Sequence, residues 1–128
     1  MATTAQYAAT VLTAQVQVST GNTQRTGSGT ISTLVVGASN GTRVDDIYIT
    51  ATASTTVGAI RLFVGDNVAL PRLWQEILVP VVNPSTSVPV WSCSLLNQSL
   101  LLKNGWILGA TTNNSESFNF IVTRAGDF

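Results

Sequence analysis

Histidine is absent from this 128-residue chain, cysteine occurs once, and charged residues make up only 9%, against about 25% in an average soluble protein. Each absence removes a class of chemistry. Without histidine, Ser-His-Asp and Cys-His nucleophile arrangements cannot be assembled. A lone Cys93 excludes an internal disulfide and a cysteine-based zinc site. Six basic and six acidic residues cancel, so there is no electrostatic footprint for nucleic acid or an anionic membrane. No apolar run approaches the roughly 18 residues of a membrane-spanning helix. Met1–Tyr7 carries neither a basic residue nor a long apolar stretch, so it is not expected to be a secretory leader, and folding in a reducing cytoplasm is expected.

What remains is apolar and neutral-polar: 45% hydrophobic residues, with Ser, Thr, Asn, Gln and Gly supplying most of the rest. That is enough for a core without a disulfide or a metal, and the length fits one domain. Near-zero net charge does little to keep copies apart, which favours association.

Period-2 alternation recurs along the chain, and a 3.6-residue period does not. Leu12, Ala14, Val16 and Val18 alternate with Thr13, Gln15, Gln17 and Ser19 in a first strand. Thr30–Val36, Ile47–Ala53, Ile60–Val64, Arg72–Val82, Val88–Cys93, Trp106–Ala110 and Phe118–Thr123 follow, separated by turn signals such as Asn40-Gly41 and Asn113-Asn114. Pro80 lacks an N–H, which places the fifth strand at a sheet edge or bends it. The pattern predicts an all-β, single-domain, eight-stranded antiparallel β-sandwich of jelly-roll type over residues 10–128, preceded by an N-terminal arm over 1–9; an immunoglobulin-like sandwich is the alternative.

Candidate chemistry is sparse. Asp45 and Asp46 are adjacent in a strand, so alternation sends them to opposite faces. Asp66 and Glu116 flank turns, where carboxylates bond backbone N–H groups; a calcium site at Asp66 and Asn67 is a weaker alternative. Gly27 and Gly29 lack the third glycine and the helix of a nucleotide-binding fingerprint. Cys93 reads as a small packed side chain. Trp74, Trp91 and Trp106 suit a core or a subunit interface better than a sugar-stacking platform. No catalytic residue, cofactor or metal site is expected. Strands 73–82 and 88–93 are apolar on both faces, whereas a two-layer sandwich buries one, so a loop, an arm or a second copy is expected to cover the other.

The runs Gly58–Val64 (GAIRLFV), Arg72–Ile77 (RLWQEI), Leu102–Trp106 (LKNGW) and Gly126–Phe128 (GDF) resemble small virion-associated proteins of tailed bacteriophages, over most of the chain from about residue 10. The resemblance implies a non-enzymatic capsid decoration, or cement, protein. It would sit on the virion surface as a homotrimer and bridge major capsid proteins. A carbohydrate- or receptor-binding module of a tail or fibre, or a tail or head-completion structural component, is the alternative. The expected contacts are Thr3, Thr4, Gln6 and Tyr7 of the arm, Asn22 and Arg25 of the 21–29 loop, and an apolar outer face around Trp74 and Leu78.

Overall fold

A computed structural model describes residues 8–66 and 68–128. No helix occurs among them, and ten strands form two antiparallel sheets. They are β1 (Thr10–Val11), β2 (Ala14–Val18), β3 (Ser32–Val36), β4 (Thr42–Ala51), β5 (Gly58–Gly65), β6 (Arg72–Val79), β7 (Ser92–Leu95), β8 (Leu100–Leu102), β9 (Ile107–Thr112) and β10 (Phe118–Asp127).

The larger sheet centres on the long pair β10 and β4; β1 and β2 lie along the free side of β10, and β7 and β8 along the free side of β4. The other sheet has the order β3-β9-β5-β6. The chain passes from one sheet to the other at every link except β1–β2, β5–β6 and β7–β8. The inward rows of both sheets, including Ile47, Ile49, Phe118 and Phe120 from one and Ile60, Leu62 and Leu108 from the other, meet in a single core. Trp91 closes it edge-on against Phe118, with ring centroids 5.9 Å apart and planes at 88°, the geometry the ring quadrupoles favour. As Pro80 requires, β6 is an edge strand and ends at Val79.

Ten strands replace the expected eight because a crease runs across the larger sheet. On β10 the register steps from Val122 opposite Ile47 to Arg124 opposite Asp46, and then to Ala125 opposite Val44. Thr123 is thus an extra residue on β10 and Asp45 an extra residue on β4. The two bulges compensate, so pairing resumes in its original phase. The outer strands cannot follow: one breaks at residues 12–13, between β1 and β2, and the other loops out over residues 96–99, between β7 and β8.

The crease overturns the alternation argument for the two aspartates. A bulge lets neighbouring side chains share a side, and both carboxylates reach Arg124, at 3.6 Å from Asp45 and 3.5 Å from Asp46. Asp45 is fully buried. Its Oδ2 lies 3.0 Å from Arg43 Nε, and its Oδ1 accepts the Ser99 N–H at 3.0 Å. Asp46 accepts the Asn97 N–H at 2.9 Å. Asn97 and Ser99 adopt positive φ, 54° and 50°, a conformation side-chain-bearing residues rarely hold unaided. Two carboxylates and two guanidiniums fasten the looped-out segment.

A further bulge, in the four-stranded sheet, corrects the placement of Trp74. Leu62 pairs with Gln75 and Phe63 with Leu73, so Trp74 is the extra residue of β6. It packs half-buried against the core and does not share an outer face with Leu78. The segment before β7 is likewise loop rather than strand, which frees both Val90 and Trp91 to pack on the core.

Candidate functional site

Three surfaces of the sandwich differ in what covers them. The first is the outer face of the four-stranded sheet. Strand β5 reads Ala-Ile-Arg-Leu-Phe over residues 59–63, and all five residues are buried. Ile60 and Leu62 face the core; Arg61 and Phe63 face outward, yet Arg61 is only 3% exposed and Phe63 not at all. A strap, residues 19–31, lies on this face: Arg61 Nη1 donates to Asn22 O at 3.4 Å, and Ile31 sits against Gly109, the residue opposite Phe63. Asn22 N–H donates to Thr112 O at 2.8 Å, docking the strap on β9. The Asn22 side chain, 7% exposed, donates to Ser28 O and Thr30 O, both at 3.0 Å, and accepts from Gln24 N–H at 3.0 Å. One amide thereby closes the whole loop. Gly27 sits at φ 90°, against the Pro71 carbonyl; a Cβ there would collide with that oxygen.

The strap is also held by charge. Arg25 Nε and Arg61 Nε each donate to Glu76 Oε2 at 2.7 Å. Arg61 Nη1 also donates to Asn113 Oδ1 at 3.2 Å. The Arg25 hydrogen bond and then that of Arg61 hold the Glu76 carboxyl below its ordinary pKa. The expected contact loop is therefore fastened rather than slack. The Asn22 side chain is spent inside it, while Arg25 remains largely open to solvent.

The second surface is the outer face of the larger sheet, and among the described residues nothing covers it: its side chains are exposed or half-buried. Two cross-strand rows run over β2, β10, β4 and β7: Gln15-Ile121-Tyr48-Ser94 and Gln17-Asn119-Thr50-Ser92. No residue in either row is ionisable at neutral pH. A depression of about 360 Å³ lies at the β2–β10 seam, lined by Gln15, Val16, Gln17, Asn119 and Ile121.

The third surface is one end of the sandwich. Among the described residues, seven of the fourteen exposed large apolar side chains belong to segments that meet at or beside its rim: Val11, Val36, Val68, Leu70, Leu101, Trp106 and Phe128. Backbone hydrogen bonds build the rim. Gly37 N–H donates to Trp106 O at 2.7 Å, and Phe128 N–H to Gly41 O at 3.0 Å. Ala9, where the arm joins the sandwich, donates to Asp127 O at 2.9 Å at this same end. At the opposite end Thr55 is 1% exposed and bonds Val82 and Pro80 through backbone and hydroxyl, while Val57 and Val81 beside it are exposed.

Of the expected contacts, Thr3, Thr4, Gln6 and Tyr7 lie outside the described residues, as does Asn67. Asn22 and Arg25 come together in the strap, Trp74 joins the core, and Leu78 stands alone at 77% exposure on the outer edge of β6. Sequence reasoning missed the apolar rim, whose members come from six separate segments, and the Arg61–Glu76 pair. The signal for the pair was an arginine and a phenylalanine on the second face of an otherwise core strand. Among the described residues no cluster of three or more His, Cys, Asp or Glu is placed to hold a metal, and no helix is long and apolar enough to cross a membrane. No family model matches the chain, and no curated protein matches it.

Proposed function

We propose that this chain is a non-enzymatic structural module of a phage virion, a decoration or cement protein that docks on the assembled capsid through its apolar rim. The observation that carries the reading is the rim itself. A monomer exposes large apolar side chains singly over its surface, whereas a contiguous group at one end marks a contact surface. None of the seven rim side chains is charged, although Arg43, Asp66, Arg72, Lys103 and Asp127 flank them. Docking is therefore driven by apolar burial and hydrogen bonds, and moderate salt weakens it little.

The strand order supports a jelly roll. Counting β1 with β2 and β7 with β8 gives eight strands in two sheets of four, with the first beside the last and all but one of the connections crossing between sheets. Binding to the assembled shell but not to free subunits stabilises the shell by mass action. A homotrimer bridging several major capsid proteins adds avidity.

The test is add-back. Purified protein is mixed with capsids assembled without it and imaged by cryo-electron microscopy, alongside a Trp106→Glu variant. Density at the threefold positions with the native chain, lost in the variant, is the expected result. Density only on the tail, no density at all, or unchanged binding by the variant overturns the reading. Light scattering at micromolar concentration reads the trimer; a monomeric mass removes it.

A further inference from the structure

The open face of the larger sheet is chemically unlike the rim, and its composition selects a ligand. Every hydrogen-bonding group on its two rows is neutral, so a charged ligand gains nothing there that solvent does not already supply. Gln17 Nε2 donates to Asn119 Oδ1 at 3.0 Å, which fixes both amides. Among the described residues the atoms left over, Gln17 Oε1 and Asn119 Nδ2, make no other hydrogen bond. They belong to neighbouring strands and leave one acceptor and one two-proton donor, with the second Gln17 Nε2 proton, for a ligand.

That pairing matches vicinal hydroxyls, each of which donates and accepts. Beside it, Ile121 and Tyr48 are directly opposed across β10 and β4. They offer an apolar platform one row over, suited to the C–H face of a pyranose ring. The depression at the seam, about 360 Å³, is within the range of small-ligand sites. Continued across β10, β4 and β7, the rows span three inter-strand spacings, about 14 Å, room for a chain of sugar units rather than one.

We infer that this face binds a neutral oligosaccharide, with Gln17 and Asn119 reading hydroxyls and Tyr48 and Ile121 carrying the ring. Sialylated and sulfated glycans find no cation on these two rows, and the nearest one, Arg124 at the crease, already lies against Asp45 and Asp46. The site shares no residue with the apolar rim, so it stands or falls independently of capsid docking.

The experiment titrates ¹⁵N-labelled protein with maltohexaose, cellohexaose and mannohexaose, and with heparin oligosaccharide as the anionic probe, following backbone amide shifts. At least one neutral hexasaccharide is expected to shift residues 15–17, 48 and 119–121 with a Kd of about 0.1–1 mM, and heparin is expected to shift none of them. Asn119→Ala and Gln17→Ala each weaken that binding about tenfold, the loss of one or two neutral hydrogen bonds; both positions face solvent, so circular dichroism and melting temperature should match the parent. Silence from all three neutral sugars, shifts centred on Trp106, or equal response to heparin overturns the assignment. Full binding by Asn119→Ala would also overturn it.

Discussion

The two outer faces of this sandwich are built from similar antiparallel strands and have opposite fates. On the four-stranded sheet an arginine and a phenylalanine that point away from the core are buried by residues 19–31 of the same chain. On the larger sheet the equivalent positions are Gln, Asn, Thr, Ser, Tyr and one Ile, and solvent reaches them. The chain thus satisfies the second apolar face of β5 internally. What stays available for partners is the open polar face and the apolar rim. An outward-facing apolar residue in a strand therefore does not by itself call for a second subunit: an intramolecular strap answers the same need.

Truncating the strapped face gives the largest effect. Phe63→Ala removes a fully buried ring and is expected to destabilise the fold by about 3–5 kcal/mol, read as a lowered denaturant midpoint with an unchanged slope. A loss below about 1 kcal/mol would mean the strap does not exclude water from β5.

Next comes the strap's own closure. Asn22→Ala leaves Ser28 O, Thr30 O and Gln24 N–H without their partner and should cost about 1–3 kcal/mol. Limited proteolysis sharpens the comparison further. The variant is expected to be cut at Arg25 by trypsin far faster than the parent, because local opening now precedes global unfolding. Equal cutting rates would show that the backbone bond to Thr112 and the Arg25–Glu76 pair hold the strap without the Asn22 side chain.

The smallest effect belongs to the open face. Tyr48→Ser removes an exposed aromatic with no buried partner and should change stability by no more than about 0.5 kcal/mol. A change as large as that of Phe63→Ala would mean the face is covered in solution, and sedimentation would then show a second copy on it.

Much of this architecture is legible in the chain. Ile47-Ile49-Ala51, Ile60-Leu62 and Phe118-Phe120-Val122 alternate cleanly, and all of them lie in the core. The strands that hold them sit where period-2 reading places them. What alternation cannot carry is a change of phase. Thr42 and Val44 are inward, and so are Ile47 and Ile49; the two sets differ by an odd number of residues, and Asp45-Asp46 is where the step occurs. Read as plain alternation, the aspartates part company; read as a bulge, they converge on Arg124. Trp74 is misplaced for the same reason. The short strands β1 and β8 are shaped by that crease as much as by their own residues, so local pattern gives them little signal. The strap and the rim are hidden for a different reason. Each is assembled from residues far apart in sequence, and only the sheet order brings them together.

The paired bulges carry one consequence for how such a chain can change over generations. Thr123 and Asp45 offset each other, so deleting either alone would turn Thr42 and Val44, or Ala125, out of the core. Deleting both would leave a straight, continuous ladder. Length changes at these two sites, almost eighty residues apart, are therefore tied: a lineage keeps both or sheds both. Shedding both would free the segment that Asp45 and Asp46 now hold, and the outer strands could each become one again.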